Sequence, residues 1–285
     1  MQQVTVRVPA STSNLGPGFD CLGVALRIYN DVTISRGRGT PPDEMVRTAG
    51  LAFFERASLK SFAFSCAVAG DIPQSRGLGS SAAVRLGVLH GLNEIAGRPL
   101  QRRELFELGA DLENHPDNAA PACYGGFNVV RGVERQMFTV SAQLQFVLLI
   151  PDFEISTARA RALLPARIAR LAAVENSRNA CAITAAFASR EYQSLRGAFA
   201  DHLHQPFRKK LIPFLDAVIL AAEAAGALGA FLSGSGSTVC AVTLRPPEKI
   251  ARNMLAAADS PGARTVITTA DNRGARLIQN PKSKI

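Results

Sequence analysis

Residues 76–97 read RGLGSSAAVRLGVLHGLNEIAG. Two glycines and two serines stand directly against an apolar run with helical spacing. A chain that puts its most permissive residues at the mouth of a helix either needs a turn and a cap there or is leaving room for a ligand. In the first case Ser80 or Ser81 accepts from the free N–H groups of the first turn, and the glycines only let the chain bend. In the second, those N–H groups and the positive end of the helix dipole face an anion, and the glycines let a phosphate approach the backbone. Two common phosphate loops do not fit. A Walker loop needs Gly-Lys-Ser/Thr, and no lysine lies between Lys60 and Lys209. No GxGxxG follows a strand with an acidic residue about 20 positions on.

Charge agrees with an anionic ligand. Thirty-two Lys and Arg stand against 23 Asp and Glu, a formal net charge of +9. Nucleotides and nucleic acids both answer to that sign. Trp is absent, aromatics make up 6%, and no basic block is interleaved with them. A stacking platform for single strands is therefore poorly supported, and nucleic acid is not expected as a partner. An arginine-rich solvated surface accounts for most of the charge. The five cysteines (Cys21, Cys66, Cys123, Cys181 and Cys240) form no CxxC pair. They read as small buried hydrophobes in a reducing compartment, which makes the cytoplasm the expected location. No basic-then-apolar signal segment opens the sequence. The most apolar long stretch, Ala217 to Gly234, carries Glu223 and is rich in Ala and Gly. It suits a helix running into a strand better than a membrane span.

Along the chain, QVTVRVP alternates as a half-buried strand ended by Pro9, and NDVTISR reads as another strand. PPDEMVRTAGLAFFERA is a helix opened by prolines and acids. SFAFSCAVAGDIP is a strand leading into the glycine-serine loop and its helix. QRRELFELGADLENH is a second helix, ending before Pro116, and GGFNVVR and LQFVLLIP are strands. Helical segments dominate from Thr157 to Ala225. GAFLSGSGSTVCAVTL then reads as a glycine-split strand or hairpin, PPEKIARNMLAAA as a helix, ARTVITTA as a strand, and NPKSKI as a loose tail. Without a strict βαβ rhythm this is an α+β chain in two lobes, with a boundary near residue 150, giving domains of residues 1–150 and 151–285.

Four stretches concentrate polar chemistry. Pro9 to Leu26 displays Asn14 and Asp20 on a loop with Gly16, Gly18 and Gly23. The glycine-serine loop is the second. The third, LENHPDNAAPACYGG, crowds Glu113, His115, Asp117 and Asn118 between a helix and a proline-glycine loop. The fourth, LSGSGSTV from Leu232 to Val239, places a second glycine-serine loop inside an apolar strand pattern, where glycine signals a bulge or close backbone approach. Two such loops and an acidic cluster suit a polyphosphate held from both sides, with a carboxylate for Mg2+. His115, His202 and His204 have no spacing that suggests zinc.

VPASTSNLGPGFDCLGVAL, RGLGSSAA and LSGSGSTV resemble the three motifs of the GHMP small-molecule kinases, in order and across nearly the whole chain. HPDNAAPACYGG, STARARALLP and DHLHQPFRKKLIP are most similar to the homoserine kinases of that superfamily. The resemblance implies an N-terminal lobe like ribosomal protein S5 domain 2 and a ferredoxin-like C-terminal lobe. It implies ATP, Mg2+ and phosphoryl transfer to the side-chain hydroxyl of L-homoserine, and a homodimer is a family expectation. The alternatives are another GHMP kinase acting on a different hydroxylated metabolite, or a binding protein that keeps the fold without catalysis.

By the same resemblance, Arg76, Gly77, Leu78, Gly79, Ser80, Ser81 and Ala82 would wrap the nucleotide phosphates. Ser81, or its neighbour Ser80, and Glu113 match the Mg2+ positions. Asn14, Asp20 and Asn118 match substrate-binding positions, with His115 beside them. Thr157, Arg161 and Arg208 match positions that hold an amino-acid carboxylate, and Gly234 lies in the third motif, which closes over the substrate. Catalysis is expected to rest on Ser81, Glu113 and Asn118. Several positions depart from the family pattern. Met45 falls where an asparagine commonly lies near the adenine, Asn114 replaces a frequent glycine, and Ser237 replaces a frequent proline. Arg85, unusual after the phosphate loop, is expected on a solvated face. Asn118 stands where related kinases place an aspartate base. A loose transition state needs little base assistance, so no essential protein base is expected, and Asp117 is the remaining candidate.

Overall fold

The computed structural model describes residues 2–37, 40 and 42–278, so the NPKSKI tail lies outside the described residues. In chain order the elements are β1 (Gln3–Ser13), β2 (Leu22–Arg36), α1 (Glu44–Arg56), β3 (Phe64–Gly70), α2 (Ser80–Ile95), α3 (Arg102–Glu113), α4 (Pro116–Tyr124), β4 (Phe127–Arg131), β5 (Glu134–Phe138) and β6 (Gln145–Ile150). They continue as α5 (Thr157–Ala162), α6 (Arg170–Ser189), α7 (Gln205–Arg208), α8 (Leu215–Ala224), β7 (Gly229–Leu232), β8 (Val239–Thr243), α9 (Glu248–Ala258), β9 (Arg264–Thr269) and β10 (Arg276–Ile278).

The strands sort into two antiparallel sheets. One runs β10-β1-β2-β4-β5, with β3 beside the outer half of β2; the other runs β7-β8-β6-β9. The boundary expected at residue 150 falls at the end of β6, a strand of the second sheet, and β10 returns to the first. The two sheets share one core. It contains Val24 and Phe127 from the first sheet, Leu148 and Phe231 from the second, and Phe187 from α6. Phe127 stacks on Phe187 with centroids 4.2 Å apart, which locks α6 onto the first sheet.

Pro9 does not end the first strand. β1 continues to Ser13 through a register shift between Pro9 and Ala10, which accommodates the missing proline donor. NDVTISR is the outer part of the fifteen-residue β2 rather than a strand of its own. The stretch expected to be a proline-glycine loop after Glu113 forms α4. Pro116 stands in its first turn, where a missing N–H costs nothing, and Pro121 lies inside it.

α2 explains why its sequence is apolar nearly all round. Eleven of its sixteen residues are buried, as befits a helix covered on most sides. It packs on β1 and β2 and is flanked by α1 and α3. Gly87 lets it approach closely, since a Cβ there would fall 2.4 Å from Val32 Cγ2. Its neighbours start with conventional caps. Asp43 accepts from Val46 N–H at the head of α1, and Gln101 and Glu104 cap α3 reciprocally. This packing holds the N-terminus of α2 and the C-terminus of α3 side by side at one mouth of the molecule.

Candidate active site

The backbone ties three distant glycine-containing stretches together. Ser11 N–H donates to Leu78 O at 3.1 Å, Thr238 N–H to Arg76 O at 3.2 Å, and Gly234 N–H to Ser13 O at 3.1 Å. The Ser233 hydroxyl lies 2.7 Å from Gly77 O and 2.8 Å from Thr12 Oγ1. Gly77 and Gly79 both adopt left-handed φ. A Cβ would fall 2.1 Å from Ser233 O at Gly77, and 2.1 Å from Ser11 Oγ at Gly79. Turn conformation and close packing therefore both demand glycine. Neither Ser80 nor Ser81 caps α2. Gly79 is the N-cap, no side chain accepts from the first turn, and the two serines are the first residues of the helix. The donors of that turn are left for a ligand.

A cleft of about 460 Å³ opens over this helix start. Residues 76–81 line it with Glu113, His115, Asp117 and Asn118, and with Asn14, Thr157, Arg161, Arg208 and Gly234. Of the expected residues, Ala82 does not line the cleft but is buried beneath it. Asp20 reaches the site through Arg161. Met45 does line the cleft, together with Asp43, Gln74 and Ser75.

Around the phosphate loop, Ser81 Oγ donates to Glu113 Oε1 at 2.5 Å. The Arg85 guanidinium donates to Glu113 Oε2, and its side chain is only 24% exposed. The solvated face expected for Arg85 is therefore incorrect. Its position four residues after Ser81 aligns both side chains on the same carboxylate. A hydroxyl and a carboxylate oxygen beside uncapped helix N–H groups form a hard-oxygen donor set. It suits Mg2+ with phosphate oxygens completing the shell, and does not suit a softer metal.

Another part of the cleft is built from paired charges. Arg161 Nη2 donates to Asp20 Oδ1 at 2.7 Å and to His115 Nδ1 at 3.0 Å. Arg208 is 2% exposed and donates to Gly234 O at 3.0 Å, the same oxygen that accepts from Asn14 Nδ2. The Phe19 ring lies against both guanidiniums, at 5.4 Å from Arg161 and 5.2 Å from Arg208, with His204 stacked on it at 5.2 Å. His204 donates from Nε2 to Gly16 O and accepts from Arg208 on Nδ1, while Asp201 Oδ2 accepts from the His204 and Gln205 N–H groups at the head of the short α7 that ends in Arg208. Burial, with Arg161 second, pushes Arg208 down to about 10. Burial also takes His204 down to about 4 and lowers His115. Asp117 is driven up to about 7 by burial and by Asp20. The Nε atoms of Arg161 and Arg208 and Oδ1 of Asp117 are buried without partners, so this region is electrostatically unsatisfied.

Phe19, Asp201 and His204 lay within stretches that stood out in the sequence, yet they carried no expected role. The i, i+4 spacing of His204 and Arg208 was the one available signal.

Residues 44–126 match the family described as GHMP kinases N terminal domain, and residues 183–260 match GHMP kinases C terminal. A homoserine kinase of Clostridium botulinum is 36% identical over 97% of this chain and 99% of its own. The chain belongs to the GHMP kinase family. A homoserine kinase of Caldicellulosiruptor bescii is 38% identical to this GHMP kinase over 96% of the chain and 97% of that protein. The crystal structure of a homoserine kinase from Cytophaga hutchinsonii superposes with a TM-score of 0.89 at 26% identity, covering 98% of each chain. A mevalonate kinase crystal structure shares the fold at a TM-score of 0.72 and 15% identity, over 95% of this chain and 100% of that one. The two-lobed α+β GHMP kinase architecture expected from the three motifs is the one observed.

Proposed function

We propose that this GHMP kinase transfers the γ-phosphoryl group of ATP, with Mg2+, to the side-chain hydroxyl of L-homoserine, giving O-phospho-L-homoserine. One observation carries the choice of substrate. The cleft that holds the phosphate loop also holds two arginines over one aromatic ring, one of which, Arg161, is held by the Asp20 carboxylate and by His115. A zwitterionic amino acid matches that pattern. Its carboxylate would meet Arg161 and Arg208, and its ammonium would take Asp20 in exchange for the Arg161 guanidinium. A neutral sugar could accept from the orphaned Nε–H groups but would bring no charge to match the guanidiniums.

The triphosphate would lie along residues 77–82, with the N–H groups of the first turn of α2 on its oxygens. Met45 would provide an apolar contact for the base. Ser81 and Glu113 would hold Mg2+, which neutralises charge on the transferring group. Asn118, oriented by the Ser11 hydroxyl on its Oδ1 at 3.2 Å, would place the acceptor hydroxyl together with His115 and Asn14. Positioning and charge neutralisation suffice for a loose transition state. Asp117, protonated up to about pH 7, is therefore not required as a base. The same reading places the enzyme in the cytoplasm, where ATP and a reducing environment keep the site supplied and its five cysteines free.

The test is ADP release with L-homoserine, mevalonate and galactose offered separately. Turnover of homoserine alone supports the reading. Preference for either other alcohol moves the enzyme elsewhere in its family, and no ADP release with any acceptor would point to a binding protein.

A further inference from the structure

Arg85 has no part in the proposed chemistry, yet it occupies the carboxylate that chemistry most needs. Ser81 Oγ takes Glu113 Oε1, and the Arg85 guanidinium takes Oε2. Among the described residues Arg85 is the one cation in ion-pair range of Glu113, and the Glu113 side chain is only 9% exposed. Ser81, Val84 and Glu113 line the cleft whereas Arg85 does not, so the guanidinium reaches the carboxylate from behind the wall. Both oxygens of Glu113 are thus engaged in the free protein, and its charge is already matched.

We propose that Arg85 is a fixed counter-ion that makes Glu113 a poor site for a free divalent cation, so that the metal is retained only when a polyphosphate accompanies it. The proposal rests on the reading of Ser81 and Glu113 as the metal-holding pair. A cation arriving at Oε1 meets a carboxylate whose charge is cancelled, and it is repelled by the guanidinium on the far oxygen. Polyphosphate oxygens supply the missing negative charge. Arg85 also keeps the carboxylate oriented when a cation between Oγ and Oε1 breaks the bond from Ser81, as partners outside the coordination shell do for metal ligands generally. Arg85 is in this sense a positioning residue, and the order of loading follows from its charge.

Mn2+, read by electron paramagnetic resonance, tests this without turnover. Nucleotide-free wild type is compared with Arg85→Met, with Arg85→Gln, which can still donate to Oε2 but carries no charge, and with Arg85→Lys, which keeps the charge. Removing the charge should tighten Mn2+ binding by about tenfold or more, while Arg85→Lys stays close to wild type. With ADP added, the differences should shrink to about threefold or less, because phosphate then dominates the site. Should Arg85→Met not fold, Arg85→Gln carries the same expectation. Equal or weaker Mn2+ binding by the uncharged variants overturns the counter-ion role. If Glu113→Gln retains Mn2+ in the presence of ADP as well as wild type does, the metal reading itself is overturned, and the proposal with it.

Discussion

Arg208→Met separates binding from folding. Burial beside Arg161 lowers Arg208 to about 10, roughly two and a half pH units below an ordinary guanidinium. At about 1.36 kcal/mol per pH unit, that gap is a cost of about 3 kcal/mol held in the native state. A cation whose folded value lies below its unfolded one bears this cost in full below about pH 10, and the cost fades as pH rises above it. The bonds to Gly234 O and His204 Nδ1 and the contact with Phe19 return about 1 kcal/mol each at most. Methionine keeps the bulk and removes the charge. The free variant should therefore melt at or above the wild-type temperature. A charge-assisted contact to a carboxylate is worth about 1.5–3 kcal/mol, so kcat/KM for L-homoserine should fall about tenfold to a hundredfold, with ATP affinity unchanged. Calorimetric melting and initial rates measure both. A variant that melts well below wild type yet turns over homoserine normally would make Arg208 a structural residue and refute this reasoning.

Gly79→Val should cost ATP at least about tenfold in affinity by titration calorimetry, because the left-handed turn and Ser11 leave no room for the side chain. Glu113→Ala should lower kcat by about a hundredfold or more with the fold intact by circular dichroism; near wild-type turnover would remove Glu113 from the chemistry. Asp117→Asn addresses the raised carboxyl. Native Asp117 keeps its proton to about pH 7, whereas the unfolded chain loses it near about pH 4, so wild-type stability falls between those values and levels off above. The variant lacks that loss and should be more stable than wild type by about 2–4 kcal/mol at pH 8, and nearly equal at pH 4, in denaturant titrations. Its kcat should stay within about tenfold of wild type if no base is required.

The phosphate loop was legible because residues with few other uses stand together. Gly77 and Gly79 are forced by turn geometry, and Ser81 stands directly after them at the mouth of an apolar helix. Of the two readings open for the serines, capping fails because the left-handed Gly79 starts the helix one residue earlier, leaving them inside it. α4 was hidden because Pro116, Pro121 and Gly125 together read as a loop, although proline in the first turn is compatible with a helix. β5 is short and mostly polar, and β10 is only three residues long, so neither has an alternation to find. Arg85 looked solvated because its partner is 28 residues away, and only the packing of α2 on α3 brings the two together. Phe19 acquires meaning only when Arg161, His204 and Arg208 fold around one ring, and no local pattern encodes that meeting.

In the proposed function, the enzyme selects a zwitterion by exchanging the Arg161–Asp20 ion pair for the two charges of its substrate. The most direct measurement compares kcat/KM for L-homoserine with two truncated acceptors of the same reach, 4-hydroxybutyrate, which lacks the ammonium, and 3-aminopropan-1-ol, which lacks the carboxylate. Each loss leaves a buried or half-buried charge unmatched, so both acceptors should fall by about a hundredfold or more, and the carboxylate-free one should also lose its sensitivity to Arg208→Met. Comparable turnover of all three acceptors would show that the site does not read the substrate's charges.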